Sequence, residues 1–550
     1  MKHITPALIL LLAAGSTQGQ WTTDISMNTP VRTLTSGEAS AHLVADGPEG
    51  STYTCWFENG SGSYQLRMQR IDMHGNNMWP DTGLVVSAQP QNSAIFRYDL
   101  QSDRDGNAIV AFQDERNGTL DIVAYKINPN ADFLWGVDGV ELRTPGTTGL
   151  SPSIAPLQNG MTVIAWNTND TPGRVAAQLI DPDGTLVLVD PLMVSASTAV
   201  GRPKPIATTD GGFILQYEVS NGGFGLPPSS MYAQRYDATG TAVWADAVQL
   251  SSTPIAFFYF PLPVSDGQDG LYLAYNSSNP DNPAFTDVFV QRLRGNGTLW
   301  STNGTRLDNS STTQKFTAGK GLVWVNDMDG LMIPIQVTDG AQGQSGVAVQ
   351  RVDTAGVRQL GDAAVVVIPV TANATSPVDI TATEDGAVII HSTGGFGQEH
   401  YAATRVDLSG SPVWSPAQMD ISTANSNKGD GAVTSTRDGQ AVVVWQDDRT
   451  ANGIYAQNIT ELTTAVGILF VTSTDLRLEQ NPTDNPVLLV GEDLRDATQL
   501  DVFDVQGRVI YRSTLPATDR VTLPLSGLNP GVYTLRVTGN GRVGTVRWVK

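Results

Sequence analysis

Two short strings hold the most chemically suggestive side chains of this 550-residue sequence: Gln113-Asp114-Glu115-Arg116 and Gln446-Asp447-Asp448-Arg449. Further carboxylates lie in comparable Gly-, Asn- and Ser-rich stretches: Glu58, Asp170, Asp281, Asp339 and Glu399, the last followed by His400. Glycoside hydrolysis would need two such carboxyl groups about 5–10 Å apart. Binding of a substrate carboxylate would need converging arginines. Arg116 and Arg449 recur in the same string, which reads as a repeated element pairing locally with its own Asp. We take Glu58, Asp114, Arg116, Asp281, His400, Asp447 and Arg449 as candidate binding residues and assign no catalytic residue. His391 and His400 flank one stretch but bring no further metal ligand. Asp-x-Asp-Gly strings at 103–106, 181–184 and 327–330 suggest Ca²⁺ loops, yet none has the downstream bidentate Glu of an EF-hand. The expectation is no cofactor, with Ca²⁺ as the alternative. There is no G-x-S-x-G, HExxH or Walker string.

These stretches fall between strands of a repeat. One marker is a strand on Gln-Arg-x-Asp: Gln69-Arg70, Gln234-Arg235, Gln291-Arg292 and Gln350-Arg351, with degenerate copies at Tyr125, Gln178, Thr404 and Gln457. The eight copies lie 53 to 59 residues apart. A second marker, an acidic residue or Asn followed by Gly, precedes each copy by 19 to 24 residues, as in Asp105-Gly106 and Asp385-Gly386. Such pairs supply the positive φ of a tight turn. Between the markers runs an apolar strand, often ending in an aromatic, such as "AIVAF", "TVIAW" and "AVVVW". The unit therefore reads strand A, turn, strand B, variable loop, strand C, turn, strand D. Trp79, Trp135, Trp244, Trp300 and Trp414 open strand D, with Leu188 and Leu360 in that place in units three and six. Four strands in about 55 residues suit one β-propeller blade. Eight blades are expected, seven being the alternative count. The eighth unit lacks a strand D after Ile459, while the chain starts with an unattached one near Trp21 and Val31. Ring closure by that N-terminal strand would remove both free edges. The Trp residues are expected to wedge between blades.

The formal charge of −21 argues against nucleic acid or an anionic membrane as partner. Intrachain disulfides are excluded, since Cys55 is the sole cysteine. Residues 1–19 read as a secretory leader: a basic start, an apolar run too short to span a membrane, then small residues. No membrane insertion is expected.

After Ile459 the pattern changes. Residues 471–550 carry nine acidic and nine basic side chains, so the negative charge lies in the part before them. Alternating strands with Gly-centred turns suggest a small β-sandwich. Asn481-Pro482, "VFDVQGRVIY" around Gly507, "LSGLNPGVYTLRV" around Gly531 and Tyr533, and the terminal "VRWVK" resemble the type A C-terminal sorting domain of the type IX secretion system of Bacteroidota. That resemblance implies export across the outer membrane, contact with the secretion machinery through residues 476–550, and removal of this domain at the cell surface. In the repeats, the turn "YDATGTAVW" is loosely similar to the Asp-box of sialidase-type propellers, with one residue more between Asp and Gly.

The sequence therefore predicts an all-β chain: leader 1–19, β-propeller 20–460, linker 461–475 and sorting β-sandwich 476–550. A binding or scaffold role, toward glycan or protein at the cell surface, is expected. An extracellular polysaccharide hydrolase or lyase is the alternative.

Overall fold

The computed structural model describes residues 21–59, 63–89, 97–143, 146–220, 229–256, 261–317, 322–325, 330–395, 397–435, 437, 439–460, 471–472, 476–479, 486–491, 499–503, 509–516, 518–539 and 542–550. The leader lies outside these residues, as do the longest loop, 221–228, Asn481-Pro482 and Gly507. The described chain holds strands and a single 3₁₀ turn at Pro48–Gly50, with no α-helix. It divides into two compact units, 1–466 and 467–550.

The first unit is a series of antiparallel sheets in chain order. Sheet 1 is Glu38–Asp46, Thr52–Asn59, Tyr64–Ile71 and Leu84–Ser87; sheet 2 is Asp99–Ser102, Ala108–Asp114, Asp121–Ile127 and Val140–Leu142. Sheet 3 is Gly149–Pro156, Thr162–Thr168, Val175–Ile180 and Leu192–Val194; sheet 4 is Val200–Ala207, Phe213–Ser220, Ser229–Tyr236 and Val248–Gln249. Sheet 5 is Leu262–Ser265, Leu271–Ser278, Thr286–Leu293 and Thr305–Arg306. In sheet 6, strand A is split into Gln314–Phe316 and Val323–Val325, both paired with Gly330–Thr338; Ser345–Asp353 and Val365–Thr371 follow. Sheet 7 is Thr375–Thr383, Gly386–Thr393, Glu399–Asp407 and Met419–Ser426. Sheet 8 contains Lys428–Val433, Gln440–Asp447 and Gly453–Thr460, and its fourth strand is Thr29–Arg32, antiparallel to Gly453–Thr460.

Strands B and C read as near-continuous apolar runs because both faces of each sheet are buried. Apolar clusters alternate with the sheets. Phe57 and Cys55 meet Val110 and Phe112 between sheets 1 and 2, and Ile109 and Ile122 meet Ile164 and Trp166 between sheets 2 and 3. Trp21 and Val31 join Val442, Val444 and Ile454 of sheet 8 to Trp56 and Ile71 of sheet 1. The arrangement is propeller-like.

The Gln-Arg marker is a clamp at the end of strand C. Buried Gln69 accepts the backbone N–H groups of Arg70 and Trp79 (2.9 and 3.0 Å) and donates to the Trp79 and Pro80 carbonyls. It thereby folds the chain back on itself after the C–D turn. Arg70 and the Trp79 indole both donate to one carbonyl of the next sheet, Pro129 (3.4 and 3.2 Å). Arg235 and Trp244 do the same at Gly295, and Arg292 and Trp300 at Thr354. Trp135 reaches Pro182, and Trp21 reaches Met73 (2.9 Å). Trp414, equally buried, finds no acceptor for its indole N–H among the described residues. In sheet 8 the residue corresponding to Pro129, two past Ile459, is Glu461, which lies outside the described residues.

Two expectations change. The Trp residues do not open strand D: Trp79 precedes Leu84–Ser87 by five residues, in the bend after the turn, where only an isolated Ile71–Asn77 bridge forms. Nor do all the Asp-Gly pairs supply positive φ. Gly106 does (φ 80°), but Gly386 does not; a Cβ there would lie 1.9 Å from the Val406 carbonyl oxygen, so close approach requires that glycine.

In the second unit, Val487–Val490 pairs with Leu476–Leu478 and Arg520–Thr522. A second sheet runs Val471–Thr472, Arg542–Val549, Val532–Gly539, Gln499–Phe503 and Val509–Thr514. Leu476 and Leu488 from one sheet and Val502, Leu535 and Trp548 from the other share one core.

Candidate functional site

The seven candidate residues sit on five different sheets. Asp114, fully buried at the end of strand B, is held by Arg116 through Nε (3.0 Å to both oxygens) and Nη2 (2.8 Å). Asp447 has the equivalent place in sheet 8. It accepts from Arg449 (2.5 Å) and from the Trp445 indole (3.0 Å). Burial alone would raise the Asp447 carboxyl, but hydrogen bonds from Arg449, Trp445 and Ser426 hold it down to about 2. Arg449 also donates to the Ser26 and Met27 carbonyls and to Asn28 Oδ1, so it straps the N-terminal segment to sheet 8. Glu58, third in this set, bonds Arg32 (2.7 and 2.8 Å) and the Trp56 indole. Burial would raise its pKa; Arg32, Trp56 and Arg67 together lower it.

The remaining candidates are tied elsewhere. Asp281 meets Arg306 (2.6 Å), and His400 Nε2 lies 2.8 Å from Asn425 Oδ1. Asp170 pairs with Arg174, and Asp339 accepts the backbone N–H groups of Gly343 and Gln344. Among the seven, only Asp114–Arg116 and Asp447–Arg449 are joined. Two of the Asp-x-Asp-Gly strings serve their own turns: Asp103 and Asp181 each accept the N–H groups two and four residues on, while Asp327 and Asp329 lie outside the described residues. Among the described residues no three His, Cys, Asp or Glu side chains are grouped as metal ligands.

Side chains from different sheets do converge at the inner strands. A cavity of about 820 Å³ is lined by strand A residues of all eight sheets, including Val44, Gln101, Ser153, Lys204, Ser265, Val323, Thr381 and Thr434. Just beyond that lining, toward the B–C loops, strand A bulges. Leu43, Asp99, Ser153, Lys204 and Ala432 occupy one register position, opposite the residue before the strand B aromatic. Two residues earlier stand Ala41, Arg97, Ser151, Arg202 and Asp430. Four of these five have left-handed backbone, with φ between 51° and 54°. Non-glycine residues held there cost about 1–3 kcal/mol each and concentrate at functional sites.

Polar residues of the preceding sheet secure these bulges. Gln446 accepts from Ala41 N (3.3 Å), Gln113 from Ser151 N (3.2 Å) and Asn167 from Arg202 N (2.8 Å). Glu218 holds the same position in sheet 4. It bonds Arg202 (2.5 Å) and Ser229 (2.6 Å), and burial raises its pKa despite both. Arg97 is exposed to solvent, yet the protein around it, and next the charge of Arg202, lowers its pKa; Glu218 and Asp430 act in the opposite sense. His42 is buried and its pKa is lowered by that burial, against the charge of Asp430. Arg97, Arg202, Glu218 and Asp430 escape a reading by motif because a bulge has no residue signature. The available signal was the polar residue that follows five of the six strand B aromatics, Trp56 being the exception: Gln113, Asn167, Glu218, Asn276 and Gln446.

Residues 481–550 match the family described as "Secretion system C-terminal sorting domain". The chain carries a type IX sorting tail. That tail implies interaction with the type IX secretion system and delivery to the cell surface or extracellular space. No helix among the described residues is long and apolar enough to cross a membrane. No curated protein matches the chain. Similar solved structures include a PL25 ulvan lyase, 12% identical over 66% of this chain and 91% of that one, with a TM-score of 0.41. The polysaccharide lyase Uly1 is 12% identical over 69% and 93%, at 0.40. The Dos1 propeller is 10% identical over 77% and 95%, at 0.41.

Proposed function

We propose that the sorted protein is a non-enzymatic, eight-bladed β-propeller, closed by its N-terminal strand, that binds a glycan or protein at the cell surface. Its parts are a leader at 1–19, the propeller at 20–460, a linker at 461–475 and the sorting domain at 476–550. The observation that carries the binding role is the inner cavity. Hydroxyl-bearing side chains such as Ser153, Ser265 and Thr381 alternate there with aliphatic ones such as Ile154, Ile206 and Ile380, and the B–C face carries carboxylates already held by arginines or backbone N–H groups. The pairing of Thr29–Arg32 with Gly453–Thr460, and the apolar cluster from sheet 8 to sheet 1, support closure.

The rival reading, a polysaccharide hydrolase or lyase, draws on Glu218, a carboxyl raised by burial near the cavity. Its bonds to Arg202 and Ser229 commit it to a structural partner rather than to proton transfer. The mature protein, screened on a glycan array and in parallel for sugar release, tests the choice. Binding without turnover is expected. Release of reducing or unsaturated sugar at enzymatic rates would overturn the binding role.

A further inference from the structure

The inner rim is chemically lopsided. Sheets 2, 3 and 4, consecutive around the cavity, carry Arg97, Ser151 and Arg202 two residues ahead of the paired Asp99, Ser153 and Lys204. Two guanidinium groups thus flank a hydroxyl on a rim whose other described equivalents are Ala41, Pro377 and Asp430. Arg202 is already paired with Glu218 at 2.5 Å, so an anion there would share its guanidinium through the remaining N–H donors. Arg202 also occupies a strained left-handed backbone position, held there by Asn167. A second observation lies behind Ser151. Gln113 is fully buried, its Oε1 accepts from Ser151 N, and its Nε2 has no acceptor among the described residues. A buried amide donor without a partner costs about 1–3 kcal/mol, a cost that an added acceptor would remove.

We propose that Arg97, Ser151 and Arg202 form an oxyanion subsite for a carboxylate or sulfate group of an acidic saccharide chain. This rests on the binding role above and names its ligand class. Guanidinium groups match the planar carboxylate and the sulfate oxygens in forked geometry. The chain's formal charge of −21 disfavours polyanions over the surface generally, so the arginine arc is where an anionic group gains most. The cavity beneath offers Gln101, Ser153, Thr381 and Thr434 to sugar hydroxyls and aliphatic side chains such as Ile154, Ile206 and Ile380 to the C–H faces of a saccharide ring.

Calorimetric titration of the full mature chain tests this with four probes: oligogalacturonate, a sulfated galactan oligosaccharide, neutral dextran and poly-glutamate. Binding of either acidic saccharide, weakened at least tenfold by Arg97→Ala and by added salt, is expected. The melting temperature of Arg97→Ala is recorded beside its affinity, so that lost binding is read against any lost stability; Arg202→Ala would also strip Glu218 of its partner. Arg143→Ala, on an outer strand, should bind as the native chain does. Acidic saccharide binding that Arg97→Ala leaves unchanged overturns the subsite while the binding role stands. Equal binding of dextran overturns the oxyanion requirement. Binding of poly-glutamate alone, or of no saccharide, overturns the subsite and the glycan reading together.

Discussion

Trp79, Trp135 and Trp414 are equally buried, at 7%, 6% and 6% exposure, and occupy one position in three sheets. Two of them donate an indole hydrogen bond to the next sheet; Trp414 finds no acceptor among the described residues. Replacement by Phe removes similar apolar area at each site. At Trp79 and Trp135 it also removes a hydrogen bond worth about 1 kcal/mol net, whereas at Trp414 it removes an unpaired donor costing about 1–3 kcal/mol. Trp414→Phe should therefore be less destabilising than Trp79→Phe and Trp135→Phe by about 2 kcal/mol, and could be stabilising outright. Urea unfolding of the mature chain, followed by near-ultraviolet circular dichroism, gives the three differences. If Trp414→Phe costs as much as the other two, its indole has a partner and the account of the seam is wrong.

Deletion of residues 20–36 removes Trp21, Val31 and the Arg32–Glu58 pair; a loss of about 5 kcal/mol or more is expected from the buried side chains alone, and unchanged stability would refute closure. Arg449→Ala leaves buried Asp447 with Lys428 at 3.5 Å as its remaining cation; we expect a loss of about 3 kcal/mol that Arg449→Lys restores poorly, and a loss below about 1 kcal/mol would argue against the strap. Burial lowers His391 to about 4. Since its unfolded value is higher, near 6.5, its contribution is complete above that value and lost as pH falls toward 4, amounting to about 2 kcal/mol by pH 5. His391→Gln should narrow the stability difference between pH 7.5 and pH 5 by that amount; an identical difference in both proteins would exclude the histidine as the cause.

The repeat was legible because its markers answer to backbone geometry. Gln69 must cross-bond a fixed bend, and Gly106 must turn a strand, so the same residue types recur. Leu188 and Leu360 were legible as stand-ins for Trp by spacing alone, and they pack on Gly240 and Gly410 of the next turn as Trp21 does on Gly75. The exact start of strand D was not legible, since the bend after the C–D turn reads as strand from its apolar residues. The rim was least legible. Ser40-Ala41-His42, Gly201-Arg202-Pro203 and Gly429-Asp430-Gly431 have three different central residues and share a register shift against strand B. The "QDER" and "QDDR" strings drew attention for their charges, yet Asp114 and Asp447 face their own arginines, and it is Gln113 and Gln446 that reach the next sheet.

The pairing of Thr29 with Ala456 also sets a timetable. The first strand to be synthesised is the last to find its neighbour, because roughly 400 residues separate the two partners. At about 5–20 residues per second, that interval is on the order of half a minute. Throughout it, Gly453–Thr460 does not yet exist, and Trp56 and Ile71 have no sheet to pack against on one face. A chain committed to leave the cell thus withholds its final sheet until nearly all of it has been made. During that delay it presents open strand edges, the surfaces that holding chaperones bind.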